Sequence, residues 1–201
     1  MNHHAVGKRC AVSLESLHLP VSISEALCVL ELLGFREVSI DVVSLARGLI
    51  PFAVHRRGVN AKEAPNTVDC SGLIKWVYGQ KGIWLPRLSI QQRAQGEEVT
   101  MPHVRAGDAC FISGRVDFYD SDPEDGVGHV GLATDEGTVV HSAGSKIGVV
   151  EVSLREFFHR RKPRGIRRYT DQNVCTFEIP EAIEVEYSDD FRWLILKNLS
   201  R

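Results

Sequence analysis

The chain has 201 residues, of which 43% are hydrophobic and 25% are charged, and its formal net charge at pH 7 is −2. This composition is typical of a globular protein with enough apolar residues for a sizeable core. A charge this small provides no general attraction to nucleic acid or to an anionic membrane surface, so neither is expected as a partner. The five cysteines form no CxxC pair, which indicates reduced thiols and not a disulfide framework.

Segments for targeting or membrane insertion are not apparent in the sequence. The first 20 residues include basic side chains but lack the uninterrupted apolar run of a secretion signal. The apolar stretch ALCVLELLGF is short and contains Glu31, which argues against a membrane span. We therefore expect a cytoplasmic location, with export by a dedicated secretion system as the alternative.

Helical patterns dominate the first half of the chain. A serine-capped helix is predicted to end at Gly34, and a second helix is predicted over 41–49. The segment NTVDCSGLIKWVYGQKG, residues 66–82, predicts a third helix with Asp69 as its N-cap. Helical spacing places four residues of this segment on one core-facing stripe: Cys70, Leu73, Ile74 and Val77. The stretch LSIQQRAQG predicts a short fourth helix.

Strand patterns dominate the second half. From Gly107 onward the apolar period changes to two, and GDACFISG, GHVGLATD, GTVVHSAG and GVVEVSL read as successive strands. SLREFFHRR predicts a helix that opens with a capping box from Ser153 to Glu156, and RGIRRYT predicts a further strand. Helices followed by an antiparallel meander indicate an α+β fold.

A cysteine at the start of a helix suggests a nucleophilic role for its thiol. The unpaired N–H groups and the positive end of the helix dipole both favour the ionised, nucleophilic thiolate of Cys70. The alternative is a small buried residue of the apolar stripe, since free cysteine is among the most buried residue types.

The turn TDEGT determines whether two histidines share a sheet face. A three-residue loop ending with Gly137 in the left-handed conformation pairs Thr134 with Thr138, and His129 and His141 then project from the same face. A two-residue turn would place the two histidines on opposite faces. The neighbouring positions on the shared face carry small residues, and we expect the cysteine helix to pack there: Gly131, Ala133, Val139 and Ala143.

These pieces together predict an activated nucleophile. Cys70 is the expected nucleophile, His129 the base that takes its proton, and His141 the group that orients the base. Each histidine alone is better explained as an ordinary polar residue, so the prediction depends on the combination with the helix-starting cysteine.

The motifs DCSGLIKWVY, LPRLSIQQ, GDACFISG and GHVGLATDEGTVVHSAG, in this order and spacing, resemble the NlpC/P60 cysteine peptidases. This resemblance implies a papain-like α+β fold, with N-terminal helices packed on a central antiparallel sheet, over 38–169. Residues 1–37 are then an N-terminal helical extension and 170–201 an acidic C-terminal extension. The family's nucleophile, base and orienting residue match Cys70, His129 and His141.

The resemblance also implies a substrate. Family members hydrolyse amide bonds in bacterial cell-wall peptides, often between γ-D-glutamate and a diamino acid, so the expected partner is a cell-wall muropeptide. Asp69 and Ser71 match positions that help to bind the amino terminus of a substrate in relatives acting on free peptides. Where the family carries a tyrosine that points into the site, the best match here is Phe52, within PFAVHRRG.

Other interpretations remain. Cys70 and the two histidines are suitable zinc ligands, but the close-spaced ligand pairs of zinc sites are absent from the sequence. The acidic stretch DFYDSDPEDGVG departs from the calcium-binding EF-hand pattern and is better explained as a solvated loop near the cleft. An acyltransferase or deamidase with the same three residues and a non-catalytic binding module are the functional alternatives. The predicted hydrolase needs no cofactor.

Overall fold

The computed structural model describes residues 2–114, 126–170 and 173–199, which fold into two compact units. The first unit comprises Met1–Asp41, Tyr78–Trp84 and Thr170–Arg201, and the second comprises Val42–Val77 and Leu85–Tyr169. Most of the predicted acidic loop, residues 117–125 of 117–128, lies outside the described residues.

A six-stranded antiparallel sheet forms the second unit, with the spatial order β5-β10-β6-β7-β8-β9. Its strands are β5 (Glu97–Glu98), β6 (Ala109–Ser113), β7 (Val127–Ala133), β8 (Thr138–Gly144), β9 (Gly148–Ser153) and β10 (Pro163–Arg168). A parallel pair of short strands accompanies it: β3 (Val54–His55) and β4 (Thr67–Val68). The helices are α2 (Val42–Gly48), α3 (Cys70–Gln80, of which the last three residues belong to the first unit), α4 (Ser89–Arg93) and α5 (Leu154–His159). This arrangement confirms the predicted α+β class.

The residues predicted to cap the helices form the expected hydrogen bonds. Asp69 caps α3, because its side chain accepts a hydrogen bond of 2.8 Å from the backbone N–H of Gly72. In α5 the hydroxyl of Ser153 accepts a hydrogen bond of 3.1 Å from the N–H of Glu156. The predicted apolar stripe of α3 is fully buried at Leu73, Ile74 and Val77.

The hairpin of β7 and β8 has the predicted register. The N–H of Thr134 donates to the carbonyl of Thr138 over 2.9 Å, and Leu132 lies opposite Val140. Gly137 has a φ of +71°, the left-handed conformation that the three-residue loop requires. Both histidine-bearing positions are therefore on the same side of the sheet.

The two ends of the chain meet in the first unit. Here β1 (Arg9–Ser13), β11 (Val174–Glu178) and β2 (Arg36–Val38) form an antiparallel sheet in the order β1-β11-β2, together with α1 (Ile23–Leu32) and α6 (Asp190–Asn198). Its core includes Leu30, Phe35, Phe177 and Phe191. Both predicted extensions thus contain strands as well as helices, and the bounds at 37/38 and 169/170 stay predictions. Three short 3-10 helices complete the described elements: Glu15–Leu17, Ala61–Glu63 and Met101–His103. Among the described residues, every helix is too short or too polar to cross a bilayer.

Candidate active site

A pair of hydrogen-bonded histidines lies on neighbouring strands of the large sheet. Nε2 of His129 on β7 is 2.9 Å from Nδ1 of His141 on β8, and the two rings are nearly perpendicular. Since Nε2 of His129 is occupied by this bond, Nδ1 is the nitrogen left to meet a nucleophile. The two histidines therefore share a face, as the turn predicts.

A glycine makes room for this pair. A Cβ on Gly131, the residue opposite His141 in the hairpin register, would lie 2.3 Å from Cγ1 of Val139 and 3.0 Å from Cβ of His141. Phe157 of α5 fills the rest of this face, with ring centroids 5.8 Å from His129 and 5.2 Å from His141. Close packing on both sides restricts the orientations open to the imidazoles.

The cysteine approaches the strand by a different route from the one predicted. The backbone N–H groups of Val130 and Ser71 lie close enough to the sulfur of Cys70 to lower the pKa of its thiol. Val130 follows His129 on β7, so the thiol lies near the strand that carries the predicted base. The expectation that the cysteine helix packs on the small-residue face is wrong, because Phe157 occupies that face.

Burial decides the resting state of the thiol. It raises the pKa of Cys70 to about 11, and the negative charge of Asp69 adds to this increase. The two backbone N–H bonds and the positive charge of Arg87 act in the opposite direction and are weaker. The sequence argument for a thiolate identified real stabilising groups, but burial outweighs them.

Burial also keeps both imidazoles neutral. It lowers the pKa of His129 to about 3, and positive charge on His141, Arg161, His55 and Arg160 contributes in the same direction. Burial, followed by the charge of Arg160, lowers the pKa of His141 to about 4, while Glu156 opposes this effect. Among the described residues, Nε2 of His141 is buried without a hydrogen-bond partner. At neutral pH the site holds a thiol and two uncharged imidazoles.

An ion pair fixes the start of the cysteine helix. Arg87 donates to both carboxylate oxygens of Asp69 and also contacts the hydroxyl of Ser71 over 3.0 Å. The N–H of Gly58 donates to Asp69 over 3.0 Å. Gln92 supports the same turn through a hydrogen bond of 2.9 Å to the carbonyl of Ser71. These contacts hold Asp69 and Ser71 beside Cys70, and the substrate-binding role of both residues stays a prediction.

The segment before the cysteine places a histidine next to the site. Phe52 lies in the turn between α2 and β3 with 53% of its surface exposed, and its role in substrate binding stays a prediction. Nδ1 of His55 is 2.8 Å from the hydroxyl of Ser142, the residue after His141. Sequence reasoning missed Arg87, although the motif LPRLSIQQ contains it. From PFAVHRRG, it considered His55 only as one of several residues, with Arg56 and Arg57, that could line the cleft and select an anionic substrate.

The geometry gives no support to a metal site. Within the parts of the chain that the structure describes, no three His, Cys, Asp or Glu side chains are grouped so as to hold a metal ion. The histidine pair instead uses one nitrogen of each ring to bond the other.

An α+β fold that carries a helix-starting cysteine and, on a hairpin of its sheet, a hydrogen-bonded histidine pair is typical of papain-like thiol hydrolases. The NlpC/P60 family model matches residues 58–168, more than half of the chain, and the chain belongs to the NlpC/P60 family. This membership confirms the resemblance, and the matched part of the chain is a hydrolase domain of the peptidase type.

Individual relatives agree with this assignment. A probable endopeptidase of Corynebacterium glutamicum is 41% identical over 91 residues, which are 45% of this chain and 38% of that protein. A γ-DL-glutamyl hydrolase of Bacillus subtilis is 31% identical over 107 residues, covering 53% of this chain and 24% of that protein. The chain thus spans less than half the length of these curated relatives. The structure of NlpC1 from Trichomonas vaginalis matches with a TM-score of 0.55 at 24% identity, over 65% of this chain and 44% of that one, which establishes the fold.

Proposed function

We propose that this protein is a thiol hydrolase that cleaves amide bonds in bacterial cell-wall peptides, at the bond between γ-D-glutamate and a diamino acid. The observation that carries the proposal is the His129–His141 hydrogen bond, because the backbone N–H of the next residue, Val130, lies close enough to the Cys70 thiol to lower its pKa. The activity of the Bacillus subtilis relative, a γ-DL-glutamyl hydrolase, supports a γ-glutamyl bond as the target.

The proposed reaction begins from a neutral thiol and a neutral imidazole. Nδ1 of His129 removes the thiol proton as the sulfur attacks the substrate carbonyl, and His141 accepts a hydrogen bond from the imidazolium that forms. The backbone N–H of Cys70, at the start of α3, faces the developing oxyanion. His129 then protonates the leaving amine, and a thioester to Cys70 remains. A water molecule, activated by His129, hydrolyses this thioester and restores the thiol.

The test is digestion of matched peptides followed by mass spectrometry. One peptide joins D-glutamate to a diamino acid through the γ-carboxyl group, and its isomer uses the α-carboxyl group. We expect cleavage of the γ-linked peptide by the wild type and none by Cys70→Ala. Cleavage of neither peptide, or equal cleavage by Cys70→Ala, would contradict the proposal. Transfer of the acyl group to an added amine, at the expense of hydrolysis, would identify an acyltransferase instead.

A further inference from the structure

His55 is a titratable side chain next to the site that the proposed mechanism does not use. Its strand, β3, runs parallel to β4, and the pairing places His55 opposite Val68, two residues before Cys70. The negative charge of Asp69 raises the pKa of His55, and positive charge on His55 lowers that of His129. His55 is therefore within electrostatic range of both the capping carboxylate and the predicted base.

A chain of hydrogen bonds fixes the tautomer of His55. The hydroxyl of Ser142 is 3.3 Å from the carbonyl of Val68, and a carbonyl only accepts, so Ser142 donates its proton there. Ser142 must then accept in its second bond, which joins it to Nδ1 of His55 over 2.8 Å. The proton of a neutral His55 consequently lies on Nδ1, and Nε2 carries a lone pair.

Nε2 of His55 is available to a ligand. The ring is half-buried and its hydrogen-bond contacts are with Ser142, and Nε2 is not among the described polar atoms that are buried without a partner, so this nitrogen reaches solvent. Partial burial lowers the pKa of His55, more strongly than Asp69 raises it, which favours the neutral ring at physiological pH. The exposed nitrogen is thus a hydrogen-bond acceptor.

The carboxylate of Asp69 has few acceptor positions left for a hydrogen-bond donor of a ligand. Asp69 accepts from the N–H groups of Gly72 and Gly58 and twice from Arg87, and a carboxylate offers about four acceptor positions. A substrate donor that reaches this edge of the site needs another acceptor, and His55 supplies one.

We propose that His55 is a substrate-binding residue whose Nε2 accepts a hydrogen bond from an N–H group of the bound peptide. Ser142 is the positioning residue that holds the ring in the required tautomer. This inference rests on the proposed function, and it assigns the polar contact in this segment to His55 and not to Phe52.

Three substitutions separate the two nitrogens of His55. His55→Phe keeps a ring and removes both nitrogens. His55→Gln places an amide oxygen near the position of Nε2, and His55→Asn places an amide nitrogen near that of Nδ1. The Kd of the γ-linked peptide is measured for each variant in a Cys70→Ala background, and kcat and KM are measured in the active protein. His103→Phe is the matched control, because Nδ1 of His103 also lies 2.8 Å from a hydroxyl, that of Thr100.

We expect His55→Phe to weaken binding about tenfold, and to raise KM similarly with kcat changed less, the upper end for loss of one neutral hydrogen bond. His55→Gln should restore binding to within about threefold of wild type, and His55→Asn should not. Rescue by Asn alone would show that His55 only supports Ser142, and an unchanged Kd in His55→Phe would also overturn the inference. If the Cys70→Ala background binds no γ-linked peptide and the active protein cleaves none, the proposed function itself fails.

Discussion

At the scale of single residues, the charge state of the site follows from burial. The start of α3 offers N–H donors to the Cys70 sulfur, yet burial still raises the pKa of the thiol to about 11. The same effect lowers the pKa of His129 to about 3. A neutral thiol and a neutral base are a workable starting pair, because the proton moves when the sulfur attacks and not before.

The orienting role of His141 leads to a first prediction. His141→Ala should lower kcat/KM about a hundredfold, since it removes the acceptor for the Nε2 proton of His129. His141→Asn should retain more activity, because its side-chain oxygen reaches the place of Nδ1. Steady-state kinetics on the γ-linked peptide provides the measurement. Equal rates for the Ala and Asn variants would mean that the hydrogen bond to His129 has no part in catalysis.

The sequence alone predicts the histidine pair because the short turn between the two strands determines their pairing. A single turn of known loop length sets the register from Thr134 to Thr138, and register sets the face of every side chain in the hairpin. His55 and Arg87 could not be assigned in this way. Their partners, Ser142 and Asp69, are 87 and 18 residues distant in the chain, and no local pattern encodes those contacts.

At the scale of elements, the site depends on the fit between the β7–β8 hairpin and α5. Gly131→Ala should destabilise the protein by about 1–3 kcal/mol and reduce activity, because the added methyl group overlaps Val139 and crowds His141. Urea unfolding measures the first effect and peptide hydrolysis the second.

Gly48→Ala is the control for this prediction. Gly48 ends α2, and a Cβ there meets no atom within 4 Å. Its unfolding free energy should match or slightly exceed that of the wild type, since alanine favours a helix more than glycine does. If Gly131→Ala were as stable and as active as Gly48→Ala, the packing around the histidines would not be tight.

The sequence did not predict which helix covers the sheet face that carries the two histidines. Helical and strand periods predict α3 and β7 and identify their buried residues, such as Leu73 and Ile74. They do not specify which helix covers which face of a sheet when two candidates are amphipathic. Phe157 occupies the face assigned to the cysteine helix, and the thiol of Cys70 lies close enough to the backbone N–H of Val130 for its pKa to be lowered.

At the scale of the whole molecule, the buried histidines link stability to pH. Their pKa values in the folded protein, about 3 for His129 and about 4 for His141, lie below the value of about 6.5 in an unfolded chain. The unfolded state therefore binds more protons as the pH falls, and the free energy of unfolding decreases from about pH 6.5 toward pH 3.

Urea unfolding at pH 7 and pH 4.5 tests this dependence. The wild type should lose more stability on acidification than a His129→Gln/His141→Asn double variant, which carries no titratable imidazole at either position. Since both proteins share every other titratable group, the difference isolates the histidine pair. Equal losses would show that these two side chains are not held neutral by burial.

The organisation of the whole chain was the least accessible to sequence reasoning. The strands β1 and β11 have five residues each and pair across more than 160 positions, so neither has a neighbouring turn to reveal its partner. The hydrophobic residues of both chain ends form the core of one unit, which includes Phe35 and Phe177. A pattern read along the chain cannot reveal that strands from these two distant segments pair with each other.

Trapping of the covalent intermediate tests the central claim most directly. The γ-linked peptide is mixed with the protein, the reaction is quenched with acid within the first turnover, and intact mass and peptide mapping locate any acyl group. We predict a thioester on Cys70 in the wild type and none in Cys70→Ala or His129→Ala, neither of which should release product. Product release by Cys70→Ala at the wild-type rate, or an acyl group on a different residue, would contradict the assignment of Cys70 as the nucleophile.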